Sequence, residues 1–329
     1  MILGQDRAVG QFAEAWKSRK LHHAWLLAGP KGVGKASFAR AAARRLLADA
    51  AGPPFELPGI ETPDEHPIVK LVQAGSHPDM RWLERIENPK AKTPGTLYRN
   101  IIVDQIRSLA EFMSLSAALS PWRLVVIDSM DDLEPSAANA LLKMLEEPPS
   151  NTLFFLVSNA PGRLLPTIRS RCRTLHFDAL DDDAMTSILE ANSPAINAAE
   201  RKRIVGMSFG SAARALAFAE LGLAKLEEAA LAILREGDPT NARRSELANE
   251  LGKKASAERY AAFLELAPSL IAREARALRG GSLERALDAY AKARELAAVA
   301  PRVSLDPAAT VFQMGGILAA VPEQRSLKR

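Results

Sequence analysis

The stretch Gly29-Pro30-Lys31-Gly32-Val33-Gly34-Lys35 has the residue types and spacing to hold a phosphate. Glycines there let backbone N–H groups turn toward phosphate oxygens, and a lysine at the end can reach the terminal phosphates. A helix starting near Lys35 adds the positive end of its dipole. Hydrolysis asks for more. The position after Lys35, where a serine or threonine hydroxyl would ligate magnesium, is Ala36, and Ser37 sits about 100° farther round the helix, so it reads as a plain polar helix residue. A second apolar run, Leu124 to Ile127, ends in Asp128, a residue that can hold magnesium directly or through water. The next residue is Ser129, where a hydrolysing site would place a carboxylate to polarise the attacking water. Asp131 and Asp132 fall on the following turn and read as solvent or cap groups. Nucleotide binding without efficient turnover is the expectation.

The loop works only between a strand and a helix, and the flanking pattern supplies both. Val9, Phe12, Ala13 and Trp16 recur at helical spacing, and Ala24 to Leu27 is a short buried strand. After the glycines, Phe38, Ala39, Ala42 and Leu46 line one face of a helix over 35–47. Between Ala48 and Gly95 lie eight of the 21 prolines, which predicts an irregular surface insertion. Ile106, Leu109, Ala110 and Met113 then mark a helix that Asp104 is placed to cap. Two continuous apolar strands, 124–127 and 153–157, flank a helix over 135–147 that Pro148 and Pro149 stop, and a last strand spans 173–177. Strands alternating with helices imply a mostly parallel sheet covered on both faces. Beyond Asp178 the patterns are helical, with breaks near Ser193, Gly210, Gly237 and Gly280. The expected domains are a P-loop core over 1–178, a small helical domain over 179–238 and a longer helical domain over 239–329.

At 329 residues the chain is too long for one ordinary core, and 47% apolar with 25% charged residues is a folded globular balance. A net charge of +4 permits contact with nucleic acid without arguing for it. The tryptophans at 16, 25, 82 and 122 are scattered away from basic clusters, so packing is expected of them, not base stacking. A single cysteine, Cys172, excludes an intrachain disulfide and a cysteine-rich zinc module, and fits a reducing, cytoplasmic setting. His66 and His77 in the insertion read as turn residues, so no metal site and no zinc are expected. No run is apolar enough to cross a bilayer, and no membrane partner is expected.

Several segments carry a family resemblance: His23-Ala24-Trp25-Leu26-Leu27, His77-Pro78-Asp79, Val103-Asp104-Gln105-Ile106-Arg107, Asn139-Ala140-Leu141-Leu142-Lys143 with Glu146-Glu147-Pro148, and Ile168-Arg169-Ser170-Arg171-Cys172. In this order and spacing they resemble the clamp-loader AAA+ subunits of bacterial DNA polymerase III. The resemblance spans most of residues 1–178 and is weaker in the helical tail, where Gly210, Ser211 and Arg214 look like a lid segment with its sensor 2 arginine.

It implies an AAA+ core with lid and collar, in a pentameric ring with gamma or tau and delta subunits that places a sliding clamp on primed DNA. It further implies that Ser170, Arg171 and Cys172 form the motif whose arginine, Arg171, serves the ATP site of the adjacent subunit. Gly29, Lys31, Gly32, Gly34, Lys35, Asp128 and Arg214 would form a degenerate site with weak affinity for ATP or ADP. The chain departs from many relatives in lacking the four zinc-binding cysteines after the first core helix. Scaffold and trans arginine donor is therefore the expected role, within a DNA-directed DNA polymerase assembly. The alternative is an active ATPase of the gamma/tau type, and Ala36 and Ser129 stand against it.

Overall fold

A computed structural model describes residues 2–91 and 95–322. Residues 92–94 of the expected insertion and 323–329 of the expected collar lie outside the described residues. The core runs α1 (Asp6–Lys17), β1 (Ala24–Ala28), α2 (Lys35–Ala50), α3 (Pro67–Gln73), β2 (Met80–Leu83), α4 (Val103–Ser114), β3 (Arg123–Asp128), α5 (Pro135–Glu146), β4 (Thr152–Ser158), α6 (Pro166–Arg169) and β5 (Arg173–His176). The five strands pair in the order β2-β3-β4-β1-β5, and every pairing is parallel. Parallel pairing needs crossovers, and these cover both faces with helices.

Alternation along the strands sorts the core into two layers. Trp25 and Leu27 of β1 join Phe12, Phe38, Leu46, Phe155 and Val126 on the face covered by α1, α2 and α3. Leu26 faces the other way with Ile127, Phe154, Ile106, Leu141 and Ile168, under α4, α5 and α6. Strands buried on both faces must be apolar throughout, which is why β1, β3 and β4 were legible as continuous runs. This is the mostly parallel α/β P-loop core expected from the sequence.

Two expectations need correction. The insertion holds two regular elements, α3 and the edge strand β2. Pro67 stands at the first helical turn of α3, where its missing N–H costs nothing, and the His66 side chain accepts the Ile68 N–H. Met80 to Leu83 pair with Leu124 to Ile127, but an edge strand this short with one fully buried residue leaves little periodicity to read. The prolines border these elements without interrupting them. Asp104 does not cap α4 either. It lies inside the first turn, while the Ile102 N–H goes to Gln105 Oε1 at 3.3 Å and the Val103 N–H to Glu134 Oε1 at 2.9 Å.

One buried carboxylate organises the sheet edge. Asp79, 2% exposed, accepts the backbone N–H groups of Ala118, Leu119 and Ser120 at 2.6, 2.7 and 2.8 Å. Burial alone would raise its pKa, yet these three donors and His77 outweigh that and hold the carboxyl below its ordinary value. His66 and His77 are buried, not surface residues: His66 is the N-cap of α3, and His77 Nδ1 accepts the Asp79 N–H at 3.2 Å.

By contact density the chain divides into two compact units, residues 1–184 with 210–213, and residues 185–209 with 214–329. The second unit is helical: most of α7 (Asp182–Asn192), then α8 (Ala198–Ser208), α9 (Ala212–Glu220), α10 (Ala224–Glu236), α11 (Ala242–Leu251), α12 (Ala257–Ala275), α13 (Gly280–Val303) and α14 (Pro307–Ala319). A buried ion pair, Glu227 with Arg273 at 2.8 Å, ties α10 to α12, and Arg235 with Glu274 at 2.8 Å repeats that link near the surface. Among the described residues no helix is long and apolar enough to cross a membrane.

Candidate functional site

The glycine loop lies between β1 and α2, where parallel topology puts the carboxyl end of a central strand against a helix N-terminus. Gly32 and Gly34 have φ of 81° and 100°, a left-handed backbone that glycine adopts without penalty. Gly29 serves differently: a Cβ there would lie 2.1 Å from the Phe177 carbonyl oxygen. Gln5, nearly buried, donates from Nε2 to the Val33 and Asp178 carbonyls at 3.2 and 2.8 Å, tying the loop to the N-terminal segment.

The loop's cation is turned onto its own backbone. Lys35 is 3% exposed, and its Nζ donates to the Gly29 carbonyl at 2.7 Å and to the Pro30 carbonyl. Burial pushes its pKa down to about 8, against the opposing pull of Asp131 and Asp128. Asp128, at the end of β3, is half-buried; burial raises its pKa, Glu84 adds to the rise, and Lys35 opposes it. Lys31 is exposed. Ala36 offers no oxygen at the magnesium position, and the exposed Ser37 lines a separate groove with Ala36 and Arg40. The buried Ser129 hydroxyl donates to Asp131 Oδ2 at 3.1 Å. Asp131 also accepts the Ser158 hydroxyl and the Asn159 and Ala160 N–H groups. It thus ties the ends of β3 and β4 together, a cap role wider than the turn foretold.

A contact the sequence gave no signal for touches the same loop. Residues 210–213 return to the core, where the Ala213 N–H donates to the Gly32 carbonyl at 3.1 Å and the Leu180 N–H to the Gly210 carbonyl at 3.0 Å. A Cβ on Gly32 would come within 2.2 Å of Ser211 Oγ. The phosphate cradle is therefore present in outline but closely packed, while the magnesium ligand is absent. Arg214 lies in the helical unit, 3.6 Å from Glu265.

The second candidate feature is the arginine tip after α6. Leu164 and Ile168 are buried and anchor this short helix, whereas Leu165 is its N-cap and 40% exposed. Arg171 extends outward with its side chain 35% exposed, its Nη2 2.8 Å from Glu146 Oε1 and its Nη1 donating to the Thr167 carbonyl at 2.9 Å. Arg169 is exposed, and the Arg173 guanidinium lies 5.1 Å from the Trp25 ring centroid. Glu146 and Trp25 thus relieve part of the repulsion that three arginines in five residues would create. Cys172 packs against the core, and burial pushes its thiol up to about 12, far from a reactive thiolate. Among the described residues no group of three or more His, Cys, Asp or Glu side chains could hold a metal ion.

A parallel sheet with a phosphate loop at the end of an inner strand defines a P-loop α/β protein, here with a degenerate phosphate site. The family model described as DNA polymerase III, delta subunit, matches residues 4–181, and the chain belongs to that family. It is 40% identical over 153 residues to the DNA polymerase III subunit delta' of Pseudomonas aeruginosa, covering 46% of this chain and 41% of that one. With the delta' subunit of Bacillus subtilis it shares 35% over 182 residues, 55% of this chain and 50% of that one. The tau/gamma subunit of Haemophilus influenzae is 30% identical over 190 residues, 57% of this chain and 25% of that one. The chain thus matches half or less of the length of these relatives. A gamma subunit-related protein from Thermotoga maritima superposes with a TM-score of 0.45 at 18% identity, over 94% of this chain and 98% of that structure.

Proposed function

We propose that this chain is the delta-prime subunit of a bacterial DNA polymerase III clamp loader, acting as scaffold and as donor of Arg171 to ATP on a neighbouring gamma/tau-type subunit. The observation that carries the reading is a contrast within one core. Arg171 stands partly exposed just after α6, paired with Glu146, while Lys35 is spent on its own loop and Ala36 and Ser129 lack the groups that hydrolysis needs. Gly29 to Lys35 and Asp128 would give ATP or ADP weak purchase, with Arg214 added from the resemblance alone. An arginine placed on the transferring phosphoryl group stabilises its developing charge and accelerates turnover by about 10³-fold or more. Partners in this reading are gamma/tau and delta subunits in a pentameric ring, with the sliding clamp and primed DNA reached through the assembly, in the cytoplasm. The helical unit would supply a lid over 179–238 and a collar over 239–329.

The test is reconstitution with gamma-type and delta subunits. The chain alone should show negligible magnesium-dependent ATP turnover, and Arg171→Ala should assemble normally yet abolish most hydrolysis at one site of the ring. Turnover by the chain alone on the order of 1 per second or faster would favour the motor reading. An Arg171→Ala assembly that hydrolyses ATP at the unmodified rate would remove the trans role.

A further inference from the structure

Glu146 is the last residue of α5, where a carboxylate faces the negative end of the helix dipole and is disfavoured unless a cation compensates it. Arg171 is that cation, at 2.8 Å. Neither backbone can drift. Leu141 and Leu145 fix α5 in the same buried cluster that receives Ile168 and Cys172, and the chain turns away at Pro148 and Pro149 just after Glu146. Thr167 holds Nη1 through its carbonyl. A guanidinium has five N–H donors, so an anchor on each terminal nitrogen, with the Ser170 hydroxyl 3.5 Å from Nη1, restrains it and leaves donors over for another acceptor.

We propose that Glu146 is the positioning residue for Arg171, selecting the rotamer in which the remaining donors of the guanidinium are presented to an anion outside the chain. This rests on the reading of Arg171 as a trans donor. Both partners are partly exposed, at 35% and 47% of their side chains, so the pair adds little to folding stability. Its effect lies in orientation. An arginine left to sample its rotamers spends less time in the productive one, which lowers the rate of the chemical step without weakening ATP binding by the neighbour.

The experiment measures steady-state ATP hydrolysis of the reconstituted assembly, stimulated by clamp and primed DNA, with Glu146→Ala, Glu146→Asp, Glu146→Gln, Arg171→Ala and the Glu146→Ala/Arg171→Ala pair. Glu146→Ala should lower the Arg171-dependent kcat by about threefold to tenfold with KM for ATP unchanged. Glu146→Asp should recover part of the loss, and Glu146→Ala should cost nothing further once Arg171 is alanine. Melting of the isolated variants should stay within about 2 °C of the parent; should Glu146→Ala melt lower, Glu146→Gln, which keeps the volume, carries the comparison. An unchanged kcat in Glu146→Ala beside a large loss in Arg171→Ala overturns this proposal alone. No loss in Arg171→Ala overturns the trans reading and this proposal together. An equal loss from Glu146→Ala in both backgrounds means that Glu146 acts apart from Arg171.

Discussion

The phosphate loop and the Arg171 tip are both cationic features of one core, built in opposite senses. The loop is turned inward: Lys35 is nearly buried, bonded to the Gly29 and Pro30 carbonyls, with its pKa brought down to about 8. The tip keeps its guanidinium partly exposed, with Nη2 on Glu146 and Nη1 on the Thr167 carbonyl. A cation already satisfied by its own backbone has less to offer a ligand than one that is braced and still exposed. On the proposed reading, the core would complete another subunit's site in preference to running its own.

That contrast can be broken most directly at Arg171. Arg171→Ala should lower turnover at the dependent site by about 10³-fold while changing the chain's own stability by about 1 kcal/mol or less, since it removes one partly exposed ion pair. A large fall in the melting temperature of the isolated variant would show that the tip is structural and sink the contrast. Asp79→Ala supplies the opposite case, a carboxylate that serves only the fold. Leaving three backbone donors without their acceptor should cost about 3 kcal/mol. Because the folded carboxyl titrates below its ordinary 3.8, its contribution is present above that pH and is lost as pH falls below it. Denaturant curves for parent and variant should therefore stay apart at pH 7 and converge below about pH 4.

Gly29→Ala should destabilise by about 2 kcal/mol, because the new methyl meets the Phe177 carbonyl and β5 or the loop must shift. A variant that melts like the parent would mean that the loop is less tightly packed than drawn. The effect confined to alkaline pH belongs to Lys35. Its folded pKa near 8 lies below the ordinary 10.5, so between those values the unfolded chain binds more protons and stability rises with pH. Relative to Lys35→Met, the parent should gain on the order of 3 kcal/mol across that window and run parallel below it. Parallel curves throughout would place the ammonium in water and undo the inward half of the comparison.

How much was legible in the sequence follows from how local each feature is. The buried strands announced themselves because both faces of a central parallel strand must be apolar, and the loop did because glycines and a lysine at fixed spacing have few other uses. Ala36 and Ser129 were equally plain, since a missing hydroxyl or carboxylate is missing in any fold. Strand β2 and helix α3 were not, because an edge strand of four residues has almost no pattern and prolines bordering an element look like prolines breaking one.

The contacts that give the site its character were out of reach. Ala213 bonds to Gly32 across more than 180 residues, and Glu146 meets Arg171 only because α5 and α6 pack into one cluster. Lys35 turns to its own carbonyls because burial makes any nearby acceptor preferable to none. By itself the sequence determined the class of fold, the phosphate loop and the groups missing from it, for these depend on residue type and short-range spacing. Which cation is spent within the core and which is left to reach outward was decided by tertiary packing, because burial and pairing are properties of neighbours that the chain brings together only on folding.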